Sequence, residues 1–440
     1  MTVDKTATTL LEENGVQMLG NEMNQLIGRL YPICRSITGN GVRETLKIIS
    51  EKIPLTVYEV PSGTQVFDWT VPKEWNIRDA FIKNAAGERV VDFRRHNLHV
   101  VNYSVPVQQK MNLAQLRPHL HSLPEHPSWI PYRTSYYSEN WGFCLADEQL
   151  RAMPDGEYEV CIDSTLEPGH LTYGEYFLPG ESEDEILFYS HVCHPALCND
   201  NLSGIALLTY LAQVLTEKTR RWSYRFVFGP GTIGSITWLA QNESRLHKIK
   251  HGLVVALVGD PGPLNYKKTR LGSAYIDRAV QCALRDSTQP YNILEFSPYG
   301  YDERQFGSPG INLPIGRLTR TPNGEYEEYH SSADNLTLIS PKQLSDSLAV
   351  CLQVVDILEQ DERYQSNSPK CEPQLGKRGL YRKSGGQKDL GQRELALLWV
   401  LNLADGTHSL LDMAVRSGLD FGVLQRAAQD LYDAELLRVV

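Results

Sequence analysis

Four apolar runs of strand length, alternating with helical stretches, set the tightest limit on what this chain can fold into. Strands are expected at Ile186–Tyr189, Tyr224–Phe228, Leu253–Val258 and Asn312–Leu318. Helical periodicity occupies Leu202–Lys218 and Ile233–Asn242, and resumes from Ala274. Strands separated by helices predict a largely parallel sheet. Open sheets of this kind keep their sites beyond the carboxyl ends of the strands. There the first run enters His191, and Asp200 follows in an Asn199-Asp200-Asn201 turn that opens a helix. An imidazole and a carboxylate at that edge are zinc-type ligands.

The 440 residues are enough for two or three domains. Residues 8–52 read as helical, with a loop over Ser36–Asn40 before a second helix, Gly41–Glu51. From residue 57 the texture changes to short strands: Tyr58–Val60, Val90–Phe93, His99–Tyr103 and Tyr158–Ile162, spaced by turns such as Pro154-Asp155-Gly156. Residues 57–165 are therefore read as an inserted β-rich module, and residues 1–56 with 166–365 as the main α/β domain. Residues 366–385 are polar and rich in Ser, Gly and Lys, as in a linker. Three amphipathic helices follow in 386–440: Arg393–Leu403, Ser409–Ser417 and Phe421–Glu435, a winged-helix rhythm.

Charge and cysteine content exclude several classes of function. The net charge is −10, and from residue 386 onward five basic residues face eight acidic ones, a net of −3. A helix that tracks phosphates needs the opposite sign, so the terminal helices are expected to serve packing or dimerisation of the chain rather than nucleic acid. No apolar run is long enough to span a bilayer, and the first residues lack the charged-then-apolar pattern of an export signal. The eight cysteines are scattered and read as reduced thiols. The expected setting is the cytoplasm, without a membrane partner.

Further residues match the His191/Asp200 pair. Asp260 ends the strand Leu253–Val258 region, His330 sits in Glu327-Glu328-Tyr329-His330-Ser331-Ser332-Ala333-Asp334, and Gly229-Pro230-Gly231-Thr232 turns a strand into a helix. This order resembles the co-catalytic zinc exopeptidases, whose pattern is His, bridging Asp, a Glu-Glu pair at a strand-to-helix turn, Asp and a final His. The closer resemblance is to bacterial aminopeptidase-like proteins encoded near polysaccharide biosynthesis genes. Its marks are Arg29-Leu30-Tyr31-Pro32-Ile33-Cys34-Arg35-Ser36-Ile37-Thr38-Gly39-Asn40-Gly41 and Asp68-Trp69-Thr70-Val71-Pro72-Lys73-Glu74-Trp75-Asn76-Ile77. The resemblance implies a three-layer α/β sandwich with a mostly parallel sheet, an inserted β module and a C-terminal winged helix. It implies that His191 and Asp260 hold one zinc, that Asp200 bridges and that His330 holds a second.

One departure stands out. Where the clan places a general-base Glu and a ligand Glu, this chain has Gly231 and Thr232. One tight zinc is therefore expected, with a second weak or absent. Glu303 in Tyr301-Asp302-Glu303-Arg304 is the favoured replacement base, with Arg304 clamping a substrate carboxylate and Tyr329 orienting the substrate. Glu327 and Glu328 are a second source of carboxylates. Cys193 and Cys198 beside His191 and His194 admit a structural zinc site instead, and Trp129–Tyr137 reads as packing or as a substrate lid. The resulting reading is a zinc-dependent aminopeptidase-like hydrolase of a small peptide or N-acyl amino compound. The alternative is a non-hydrolytic, repurposed metal- or ligand-binding member of the same fold.

Overall fold

A computed structural model describes residues 13–381 and 391–440. The first residues of the expected N-terminal helix, 8–12, and the Ser384-Gly385-Gly386 stretch lie outside the described residues. The centre is an eight-stranded mixed sheet in the order Thr56–Pro61, His170–Leu178, Ser223–Gly229, Glu185–His191, Ile249–Val255, Ile315–Thr319, Leu264–Lys267 and Tyr291–Leu294. Its four middle strands run parallel, and both flanks reverse direction.

Side-chain alternation explains the three layers. Ile186 and Phe188 point into one core with Phe226, Phe228, Leu253 and Val255. Leu187 and Tyr189 point into the other with Val227 and Val254. The first core is covered by helices Glu13–Leu30, Gly204–Thr216 and Pro341–Gln360, the second by Ile233–Gln241. Both faces of the central strands are buried, so their sequences are continuously apolar.

The insert folds around its own four-stranded antiparallel sheet, in the order Arg89–Asp92, Glu74–Lys83, Glu157–Glu167, Val107–Asn112. Two expectations change here. Thr56–Pro61 pairs with His170–Leu178 in the central sheet, so residues 57–61 belong to the main domain. A short edge strand reads the same in either sheet, because its partner is not written in its own pattern. His99–Tyr103 forms no ladder: Asn97–His99 is a 3₁₀ turn, and Tyr103 takes a left-handed φ of 73°. At the other end, Arg363–Ser366 is the central strand of the winged helix's three-stranded sheet, between Asp405–Ser409 and Leu437–Val439. The C-terminal domain therefore begins ahead of the stretch read as a linker. Its helices are Gln392–Leu403, Leu410–Ser417 and Phe421–Asp433. Among the described residues no helix is long and apolar enough to cross a membrane.

Candidate metal centre

Strand Glu185–His191 delivers His191 to the sheet edge with its side chain fully buried. Asp200 follows in an irregular turn before helix Gly204–Thr216, with φ −106° and ψ 84°. The two meet at 2.9 Å, His191 Nε2 to Asp200 Oδ1. The second carboxylate oxygen faces His330 Nε2 at 3.1 Å. His194 Nδ1 lies 3.7 Å from Asp200 Oδ1. Donor atoms of His191, His194 and Asp200 all fall within 4.8 Å of one another.

Burial would raise the Asp200 carboxyl. The charge of His194 and the hydrogen bonds of His191 and His330 outweigh it and hold the group well below the ordinary range. Burial pushes the His194 imidazole down to about 3 against the opposing pull of Asp200. His330 adopts a left-handed φ of 55°, a conformation that costs energy away from glycine. Its loop is strapped in place: the Tyr132 N–H donates to the His330 carbonyl at 2.7 Å, and Ile130 and Ser332 exchange bonds of 2.9 and 2.8 Å. The Trp129–Tyr137 segment of the insert thus forms one wall of the site.

Aromatic rings enclose the histidines. Tyr301 stacks on His191 at 4.7 Å, Tyr329 on His330 at 3.9 Å, and Tyr132 sits edge-on to His194 and His330 at 5.2 and 5.0 Å. The Tyr301 and Tyr329 hydroxyls are 3.2 Å apart.

Two residues that carry the site were not singled out from the sequence. His194 was read there only beside the cysteines. Asp334, four residues after His330, accepts the Asn199 and Asp200 backbone N–H groups at 2.6 and 3.0 Å and the Tyr326 hydroxyl at 3.1 Å. It ties the His330 loop to the Asp200 turn, and burial pushes its carboxyl up to about 7. The spacing of Asp334 after His330 was the available signal.

Several expected residues stand elsewhere. Asp260 is buried, but its oxygens are taken by Gly262 N–H at 2.8 Å, the Thr321 hydroxyl at 2.6 Å and the Asn199 amide at 3.0 Å. It braces Asn199, next to Asp200, and does not join the histidine cluster. Glu303 is buried in an ion pair with Lys267 at 2.7 Å, with Arg317 at 3.6 Å. The two cations lie beside the carboxylate expected to act as a base, and neither of its oxygens meets a hydrogen-bond donor among the described residues. Arg304, expected as a clamp, is exposed. Glu327 is exposed, 3.6 Å from His126. Among the described residues neither Cys193 nor Cys198 joins a metal-type cluster, and burial pushes the Cys193 thiol up to about 12. Tyr329 stays at the site, against His330.

At the neighbouring strand end, Ser223–Gly229 runs into the Gly231–Thr232 turn and helix Ile233–Gln241. Thr232 has φ 62°. Its N–H and the Ser235 hydroxyl both donate to Asp302 Oδ1, at 2.8 and 2.6 Å.

Comparison with known proteins places the chain. A family described as a domain of unknown function, DUF4910, matches residues 24–361, and a winged helix-turn-helix family matches 362–439. A Clostridium acetobutylicum protein named for polysaccharide biosynthesis with an aminopeptidase-like domain is 53% identical over 421 residues, covering 96% of this chain and 97% of its own. This chain belongs to that aminopeptidase-like family. A crystal structure from Clostridium acetobutylicum, named for a peptidase, matches with a TM-score of 0.93 at 51% identity, over 97% of this chain and 98% of its own. The zinc aminopeptidase of Bacillus subtilis matches with a TM-score of 0.56 at 12% identity, over 77% and 94%. An aminopeptidase of Aneurinibacillus matches with 0.51 at 14%, over 79% and 96%. The mixed α/β fold of zinc aminopeptidases with a C-terminal winged helix, expected from the motifs, is the fold observed.

Proposed function

We propose that this protein is a zinc-dependent hydrolase of the aminopeptidase type, cleaving the amide of a small peptide or N-acyl amino compound. The name of the Clostridium acetobutylicum relative supports a biosynthetic setting, the assembly of polysaccharide. One observation carries the reading. His191 and His330 turn their Nε2 atoms onto the two oxygens of one buried Asp200, with a third imidazole beside them. The donor set fits zinc: imidazole nitrogens and a carboxylate converge at a strand end, and three protein ligands are usual at a catalytic site. His191, Asp200 and His330 would hold the ion, with His194 within reach. Zinc there would supply Lewis acidity toward the amide carbonyl and toward water. A single ion is favoured, because Asp260 is engaged by Thr321, Gly262 and Asn199, and Thr232 brings no carboxylate.

The protein's own groups would do the rest. Tyr301 and Tyr329 flank the histidines and present paired hydroxyls to a substrate. Tyr132 closes the third side and limits access of bulk water. We assign the winged helix to packing against the main domain, on the strength of its negative charge and its bonds to helix Tyr275–Asp286.

The Gly231–Thr232 turn favours a second reading, a metal-binding member that no longer hydrolyses. Zinc content by mass spectrometry and hydrolysis of a panel of aminoacyl p-nitroanilides and N-acetyl amino acids separate the two. The first reading expects zinc and turnover. The second expects zinc without turnover, with Gly231→Glu conferring activity. A wild-type chain that binds no zinc sinks both.

A further inference from the structure

We propose that Asp302 is the carboxylate that takes the proton from the attacking water, in the place where Gly231 and Thr232 bring none. The inference rests on the hydrolase reading above. Asp302 is fully buried. Its Oδ1 receives the Thr232 N–H and the Ser235 hydroxyl, so the group is tied to the first turn of helix Ile233–Gln241, the same turn that lacks its glutamates. Its Oδ2 meets no hydrogen-bond donor among the described residues and is shielded from solvent. A buried carboxylate oxygen without a partner is costly to leave unpaired and stands ready to accept a proton.

Its surroundings place it beside the metal ligands. Burial pushes the Asp302 carboxyl up, and the nearby His191 opposes that shift. The preceding residue, Tyr301, lays its ring on His191. A side-chain carbon at Gly231 would meet Cys193 Sγ at 3.4 Å and His191 Cβ at 3.7 Å, ordinary contacts, so the turn lies directly against His191. Glu303, one residue on, also has buried carboxylate oxygens that meet no hydrogen-bond donor among the described residues, but it is charge-paired with Lys267 at 2.7 Å and Arg317 at 3.6 Å, and Asp302 is the one bonded to the Thr232 turn.

In the step, a water O–H bond breaks toward Asp302 Oδ2 and the water oxygen bonds to the amide carbon. The same proton then passes to the amide nitrogen as the C–N bond breaks. An acid and an amine leave, and Asp302 is again a carboxylate.

The test compares wild type, Asp302→Asn and Glu303→Gln as full chains, with zinc alone as the first probe. The amide of Asp302→Asn keeps an oxygen for Thr232 and Ser235. A carboxylate facing the ion should make Asp302→Asn bind zinc about tenfold more weakly in chelator competition. Glu303→Gln should bind as wild type does. At saturating zinc, Asp302→Asn should lower kcat on leucine p-nitroanilide about 100-fold or more, and Asp302→Glu should recover part of it. Unchanged zinc affinity or unchanged kcat in Asp302→Asn overturns the proposal and leaves the hydrolase reading standing. If wild type binds zinc but hydrolyses no amide, the hydrolase reading falls, and the affinity comparison still decides whether Asp302 faces the ion. Should Asp302→Asn fail to fold, Ser235→Ala removes one anchor of Oδ1 and must reduce kcat with zinc retained; full activity there overturns the proposal.

Discussion

Two adjacent strand ends of one sheet have been treated differently in this molecule. Glu185–His191 and Ser223–Gly229 pair in parallel, with His191 opposite Gly229. At the first end both Asp200 oxygens face imidazoles, and Asp334 fixes the turn from behind. At the second end a glycine and a threonine lead into the helix, and a carboxylate from a distant loop fills in beside them. The half that would hold a metal is built in full. The half proposed to move protons carries Gly231 and Thr232 in its turn, with Asp302 bonded to that turn. Ligand geometry and proton transfer are therefore separable properties of this fold, and mutations should separate them.

The largest expected effect tests the first end. His191→Ala or His330→Ala should abolish zinc binding in mass spectrometry of the purified chain, because each removes a ligand that faces one oxygen of Asp200. Asp260→Asn should keep zinc and instead lower stability by about 1–3 kcal/mol, seen as a reduced Tm, since its bonds to Thr321 and Gly262 are buried. Zinc loss in Asp260→Asn, with zinc kept in His330→Ala, would reverse the assignment of these two residues.

Next comes the brace. Asp334 holds the Asn199 and Asp200 N–H groups from the loop that carries His330, so it orients ligands without being one. Groups in that position typically change metal affinity by about 10–100-fold. Asp334→Asn should weaken zinc binding in that range with helical content unchanged by circular dichroism. An affinity equal to wild type would mean that the two loops hold their shape without it.

What could be read from the chain follows the same division. Long apolar strands announced the sheet and the His191 edge, because strands buried on both faces leave no choice of residue. The candidate ligands His191, Asp200 and His330 stood out by type and order, and the fold brings their side chains together. Pairings across space were not legible. Asp260 looked like a ligand because it ends a strand, yet only the fold reveals Thr321 and Asn199 beside it. Asp302 and Glu303 are adjacent in sequence and alike in chemistry. Their fates are decided by what each meets: the Thr232 turn for one, Lys267 and Arg317 for the other. The four-residue strand Arg363–Ser366 was lost for a similar reason, since its partners lie 40 or more residues onward.

The winged helix sharpens the comparison at lower cost to the site. Leu410, Leu411, Phe421 and Leu424 belong to the same apolar core as Val350 and Leu358 of the main domain. Arg285 donates to the Leu419 and Ala414 carbonyls at 2.7 and 3.0 Å, and Asp361 accepts the Leu411 N–H at 2.7 Å. Removing residues 362–440 should uncover this core and lower Tm by several degrees or more, while zinc stoichiometry in the remaining folded protein stays as in the full chain. A truncated chain with unchanged Tm would show that the interface contributes no stability. Salt-sensitive binding of the full chain to duplex DNA would contradict the packing role.

The smallest expected effect concerns Arg304, and it is informative because it is small. By sequence, Arg304 stood beside the favoured base and was suited to hold a carboxylate in a bidentate grip. In the fold it is exposed, whereas its neighbours Asp302 and Glu303 are buried. An exposed guanidinium is well hydrated, and its pull on a substrate charge is screened within about 10 Å at 0.1 M salt. Arg304→Ala should therefore leave kcat and KM on leucine p-nitroanilide within about twofold of wild type, the range expected of surface changes near ±0.5 kcal/mol. A tenfold rise in KM, confined to substrates bearing a carboxylate, would mean that the loop closes over the site when substrate binds. In that case the contrast between the two strand ends would extend to a third element, brought in only by the substrate.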